Sequence, residues 1–148
     1  MWGAYFLQTK RAANWLAAKL VKDGHAVGLL TGELEPDQRV AVLARFRDGK
    51  EKVLITTNVM ARGIDIEQVT MVVNYDVPLD VDHRPDFETY LHRIGRTGRF
   101  GKTGLAINLV DGPRSYHNLM KIQEYFGRKI EELKTDDPDV IEEAVGEK

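Results

Sequence analysis

Short apolar runs alternate along this chain with longer stretches in which apolar positions return every three or four residues. The short runs are Ala4 to Leu7, Ala26 to Leu30, Val53 to Thr56, Met71 to Tyr75 and Leu105 to Val110, each bounded by polar residues or glycine. Near-continuous apolar runs belong to strands covered on both faces, the condition of a parallel sheet built from βα units. The longer stretches read as helices. In 10–22, Ala12, Leu16 and Leu20 share one stripe that ends at Asp23-Gly24; in 36–47, Val42, Leu43 and Phe46 share another that ends at Asp48-Gly49. Two further helices fit 87–94 and 113–126, the second opened by a proline where a missing N–H costs nothing. The pattern predicts an α/β fold.

Composition narrows this to one unit. With 148 residues, 43% of them hydrophobic, the chain can fill one core but hardly two, so residues 1–148 are expected to form a single domain, with 131–148 as an acidic terminal helix or tail. Residues 1–130 carry a net charge of +4 and 131–148 a net charge of −6, which places any anion-binding face on the body. The overall charge of −2 excludes a protein that grips nucleic acid by global positive charge. Without cysteine there is no disulfide framework, thiolate zinc site or cysteine nucleophile. No apolar run is long enough to cross a membrane and no signal peptide is visible, so an intracellular protein without membrane contact is expected.

The densest chemical signal is YLHRIGRTGRFG, Tyr90 to Gly101, where Arg93, Arg96 and Arg99 recur every third residue among Gly95, Gly98 and Gly101. Between Thr89 and Val110 there are four Lys or Arg residues and no acid, so these arginines have no partner close in sequence. Guanidinium groups bind phosphate oxygens bidentately, and glycines let backbone approach a ligand. Gly101-Lys102-Thr103 mimics the end of a phosphate-cradling P-loop, but position 96 is arginine and a strand-like run follows where that motif needs a helix. The chain alone therefore lacks the parts of a nucleoside-triphosphate site.

A second signal, LITTNVMARGID (Leu54 to Asp65), is a buried run that breaks into Thr56, Thr57 and Asn58, then into a turn with Arg62, Gly63 and Asp65. Ligands of open parallel sheets sit just beyond the carboxyl ends of strands, where these residues fall. Asp65 suits a ribose hydroxyl and Thr57 a backbone phosphate. Gln8-Thr9-Lys10-Arg11 and Thr31-Gly32-Glu33 follow two other strands, with Gln38 and Arg39 opening the next helix, which makes one continuous binding edge. His25, His83, His92 and His117 lack metal-ligand spacing, so no metal site is expected. Asp80, Asp82 and Asp86 read as solvated loop acids, and Trp15 as a packing residue.

HRIGRTGR, ITTNVMARGID and Gln38-Arg39, in this order, resemble the C-terminal RecA-like lobe of DEAD-box RNA helicases. The resemblance spans nearly the whole chain and implies a three-layer fold with a mainly parallel sheet of five to six strands. VVNYDVP, the 76–88 stretch and KIQEYFGRKIEEL look most like the subfamily that acts in mRNA export at the nuclear pore. Leu7 and Met60 stand where that subfamily commonly has cysteine, a hint of a divergent or redesigned sequence.

By resemblance, Arg96 and Arg99 are arginine fingers for an ATP, with its Mg²⁺, held mainly by an N-terminal RecA-like lobe. His92 and Arg93 couple the lobes, Gly63 and Asp65 belong to the nucleotide side, and Thr9, Gly32, Gln38, Arg39 and Thr57 contact single-stranded RNA. The lobe is expected to be a monomer, inactive as an ATPase by itself, and placed in cytoplasm and nucleus, at the pore. Its partners there include an activator that uses inositol hexakisphosphate. The rival readings are a non-catalytic RNA- or protein-binding module and a redesigned scaffold on the same fold.

Overall fold

The computed structural model describes residues 2–57, 69–94 and 105–132. Five strands, β1 (Trp2–Leu7), β2 (Val27–Leu30), β3 (Val53–Thr57), β4 (Val69–Asn74) and β5 (Leu105–Asn108), form one all-parallel sheet in the order β2-β3-β1-β4-β5. Among the described residues four helices connect and cover them: α1 (Lys10–Lys22), α2 (Pro36–Arg47), α3 (Phe87–Ile94) and α4 (Pro113–Phe126).

The period of two along β1 and β3 assigns side chains to layers. Ala4 and Phe6 of β1 and Leu54 of β3 point to one face, where they pack with Leu30, Val72 and Phe46 beneath α2. Leu7 and Ile55 point to the other, against Ala13, Leu16 and Ala17 of α1. Helices on opposite faces of a parallel sheet make the three-layer arrangement that βα units require. A third cluster, Val77, Tyr90, Leu119 and Ile122, joins α3 to α4. There Phe87 stacks on Tyr125 with ring centroids 4.0 Å apart and planes 5° from parallel.

Helix ends follow local chemistry. The Thr9 side chain accepts from the Ala12 N–H at 3.1 Å and starts α1; Gln38 Oε1 accepts from the Glu35 N–H at 2.8 Å and braces the start of α2. α4 ends at Gly127 with φ +63°, the left-handed position that glycine adopts without a Cβ penalty.

Two expectations are corrected. Trp15 does not pack in the core: it is 53% exposed, with Lys19 Nζ 5.2 Å from the ring centroid. Asp80 and Asp86 do more than solvate a loop. Asp80 Oδ1 accepts from the Asp82 and Arg84 N–H groups, at 2.9 and 3.0 Å, and Asp86 Oδ1 caps α3 through the Thr89 N–H at 3.0 Å.

Candidate nucleic-acid and interlobe site

The register of the sheet brings the strand ends together. Leu7 of β1 lies beside Thr57 of β3, and Leu30 of β2 beside Thr56, so Thr9, Gly32 and Thr57 all leave the same carboxyl edge. Lys10 Nζ reaches Glu33 Oε1 at 2.8 Å and ties the start of α1 to the loop after β2. Arg39, from the first turn of α2, folds back on that loop: its Nε donates to the Leu34 carbonyl at 3.0 Å and one terminal nitrogen to the Gly32 carbonyl at 3.4 Å. A guanidinium has five N–H groups, so these two bonds leave three of Arg39's donors for other acceptors.

Four of the five residues expected on the RNA side, Thr9, Gly32, Arg39 and Thr57, thus line one edge. Gln38 is set apart by its task at the helix start, where its side-chain oxygen is already engaged. At Thr9 the hydroxyl oxygen accepts from Ala12, which leaves the O–H to donate elsewhere.

The second half of the site centres on Arg93. Its side chain is 0% exposed, and the reading of Arg93 as one of a row of arginines awaiting a phosphate is corrected here: Arg93 is paired within the fold. Terminal nitrogens donate to the Asp76 carbonyl at 2.7 Å, to Asp76 Oδ1 at 3.1 Å and to Asn74 Oδ1 at 3.4 Å, while the guanidinium carbon lies 5.9 Å from the Phe6 ring centroid. Burial pulls the Arg93 guanidinium down from its usual pKa, and the Asp76 carboxylate opposes that shift.

The pair belongs to a longer polar chain. Asp76 Oδ2 accepts from the Gln8 N–H at 2.7 Å, and the Gln8 amide donates to the Leu79 carbonyl at 3.0 Å. On the other side Asn74 Nδ2 donates to Asn108 Oδ1 at 2.8 Å, and Asn108 Nδ2 donates to the Tyr90 hydroxyl at 3.2 Å. The carboxyl ends of β1, β4 and β5 are thereby tied to two residues of α3, the helix that leads into Arg96 and Arg99.

Sequence reading missed Asn74, Asp76 and Asn108. A usable signal existed: each polar residue closes or follows an apolar strand, as Thr57 does. His92 is half-exposed on α3, with Nε2 3.8 Å from Glu88 Oε1. Arg96, Arg99, Gly63, Asp65, the Gly101-Lys102-Thr103 triplet and Met60 lie outside the described residues. Among the described residues no cluster of three or more His, Asp or Glu is placed to hold a metal.

Tyr90 offers a pH test. Burial raises its pKa above 10.0, with the Asn108 hydrogen bond acting the other way. A raised acid binds its proton more tightly when folded. Its stability contribution is complete below the unfolded pKa and is lost as pH rises through the folded one. Tyr90→Phe is expected to cost about 1 kcal/mol at neutral pH, because Asn108 loses a partner, and to weaken the decline in Tm above about pH 10. Thermal melts from pH 7 to 11 check both; parallel curves for the two proteins would contradict the assignment.

An all-parallel sheet covered on both faces, with its polar residues gathered along one carboxyl edge, defines a RecA-like lobe. The chain belongs to the helicase conserved C-terminal domain family, whose pattern matches residues 4–101. Among relatives, human ATP-dependent RNA helicase DDX19A is 63% identical over 137 residues, 93% of this chain and 29% of that protein. The fold superposes on Saccharomyces cerevisiae Dbp5 bound to RNA and ADP BeF3 with a TM-score of 0.93 and 48% identity, over 99% of this chain and 38% of that one. It also matches a variant S. cerevisiae Dbp5 bound to Nup159, Gle1, IP6 and ADP, with a TM-score of 0.87 and 43% identity over 99% and 38%. The DEAD-box resemblance read from HRIGRTGR and ITTNVMARGID is borne out. The chain spans 28% to 29% of the length of these curated relatives.

Proposed function

We propose that this lobe completes the ATPase and RNA-binding sites of a DEAD-box RNA helicase of the nuclear-pore mRNA-export kind. The observation that carries the reading is the convergence of Thr9, Gly32, Arg39 and Thr57 on one strand-end edge. Beside it, α3 is pinned by Arg93 and delivers the chain toward Arg96 and Arg99. Hydroxyl, backbone and guanidinium donors of this kind suit sugar and phosphate rather than base edges, so binding is expected to be largely indifferent to sequence.

Arg96 and Arg99 would meet the outer phosphates of a nucleotide on the other lobe, and Asp65 with Gly63 its ribose. Their chemistry fits: two guanidiniums for phosphate oxygens, one carboxylate for a hydroxyl. Bound ATP with Mg²⁺ supplies the phosphoryl group to be transferred and the charge that draws the lobes together. His92, half-exposed beside Glu88, faces outward where an opposing lobe could touch it. Arg93 serves coupling from within, as the anchor of α3. The Nup159, Gle1 and IP6 found with Dbp5 support a pore-associated activator as a partner of the complete protein.

Joining this chain to an N-terminal lobe that carries Walker and DEAD motifs should give RNA-stimulated ATP hydrolysis absent from either lobe alone. Hydrolysis that stays at the level of the N-terminal lobe would favour the binding-module reading. Gly32 gives a separate check on the RNA edge. A Cβ there would meet no atom within 4 Å, so the fold itself does not demand glycine. Gly32→Ala is expected to leave stability within about 0.5 kcal/mol and to weaken RNA binding about tenfold, because the added methyl keeps a phosphate from the backbone. Paired thermal melts and RNA titrations separate the two effects.

A further inference from the structure

The exposed face of α1 carries a pattern that the strand-end site does not require. Arg11, Trp15, Lys19 and Lys22 are spaced by four, four and three residues, which puts them on a single stripe opposite the buried Ala13, Leu16 and Ala17. The stripe is roughly 16 Å long, at 1.5 Å rise per residue. α1 contains four cations and no acid. Lys10 is paired with Glu33, whereas Arg11, Lys19 and Lys22 make no ion pair among the described residues. The nearest acid along the chain is Asp23, the C-terminal cap of α1.

Helix stability accounts for part of this composition. Lys19 and Lys22 sit in the last turn, where the helix dipole welcomes positive charge. The same dipole disfavours Arg11 in the first turn, which holds no acid, and burial would favour a packed Trp15 rather than one 53% exposed. The two residues that stability does not explain are therefore an arginine and an indole, the pair that binds phosphate and stacks on bases. Lys19 Nζ, 5.2 Å from the indole centroid, joins charge to the same platform.

The stripe is continuous with the strand-end edge, because Thr9 both lies on that edge and caps α1. We infer that α1 carries an auxiliary single-stranded RNA track, with Arg11 and Lys22 on phosphates and Trp15 under a base, which takes up the strand as it leaves the groove. This extends the strand-end reading and rests on it for the direction of the RNA. Charge complementarity selects a polyanion, and the exposed indole selects one with bases.

Titrations of the 148-residue chain with fluorescein-labelled oligouridines of about 5 and about 15 nucleotides test the track. Trp15→Ala, and separately Arg11→Ala with Lys22→Ala, should each weaken binding of the longer RNA about 5- to 10-fold and leave the shorter one unchanged. The double cation variant should also lower the slope of log affinity against log salt by about 1.4, at roughly 0.7 for each phosphate no longer neutralised. All three positions are on the exposed face, and unchanged melting curves confirm that folding is preserved. Unaltered affinity for the longer RNA in these variants would overturn the track. So would variants that keep RNA binding but lose binding of an oligoglutamate peptide, since the face would then belong to an acidic protein. Arg39→Ala and Thr57→Val report on the groove separately. If they leave the shorter RNA unaffected while the α1 variants still weaken the longer one, the strand-end reading fails and the RNA face on α1 survives.

Discussion

Asp76→Ala is expected to destabilise the chain by about 3 kcal/mol, the lower end of the cost of stripping one partner from a buried ion pair. The substitution takes the carboxylate from a guanidinium whose side chain is 0% exposed, and it also removes the acceptor of the Gln8 N–H. The reverse change should be milder on the charge side. Asp76 is about one-third exposed, so without Arg93 its carboxylate can turn to water. Arg93→Met keeps much of the stem volume against Phe6 and should cost less than Asp76→Ala. The double variant should be more stable than Asp76→Ala alone, because no buried charge is left without its counter-charge. Thermal denaturation of the four proteins checks this, with a fall of roughly 10 °C expected for Asp76→Ala. A double variant no better than the Asp76 single would show that the pair is not coupled.

In the joined two-lobe helicase, Arg96→Ala should reduce RNA-stimulated ATP hydrolysis by about 10³-fold or more, the scale of an arginine finger in related phosphoryl transfer. RNA affinity should stay near its original value, because the loss falls on the reacting phosphate and not on the strand-end edge. Arg99→Ala should behave alike. Arg93→Met provides the contrast: acting through α3, it should lower turnover by less and lower Tm as well. Steady-state hydrolysis at saturating RNA, together with melting curves, distinguishes the two patterns. An Arg96→Ala protein with undiminished turnover would remove the finger assignment.

Three of the helices were legible in the sequence through local punctuation: Thr9 and Asp23-Gly24 around α1, Pro36 and Asp48-Gly49 around α2, and Pro113 at the start of α4. The gathering of Thr9, Gly32, Arg39 and Thr57 was legible too, since in a parallel sheet every strand presents its carboxyl end to the same edge. Arg93 was misread because its counter-charge is 17 residues upstream, on the far side of α3, and counting acids near the arginines cannot reveal a pair made by tertiary packing. Trp15 was misread because an indole one position from a narrow apolar stripe can fall on either side of its border. Gln38 carries two explanations at once, a contact and a helix brace, and only the fold showed the brace to be in place.

The middle of the sheet is occupied by the strand that comes first in the chain. Trp2–Leu7 bonds on one side to residues some fifty positions later and on the other to residues nearly seventy positions later. During synthesis this segment, with Ala4, Phe6 and Leu7 wholly apolar and later wholly enclosed, must wait uncovered for both neighbours. Clipping it from the finished domain would not trim a border. It would part β3 from β4, cut the Gln8 link to Asp76, and separate the half that bears Gly32 and Thr57 from the half that bears Arg93.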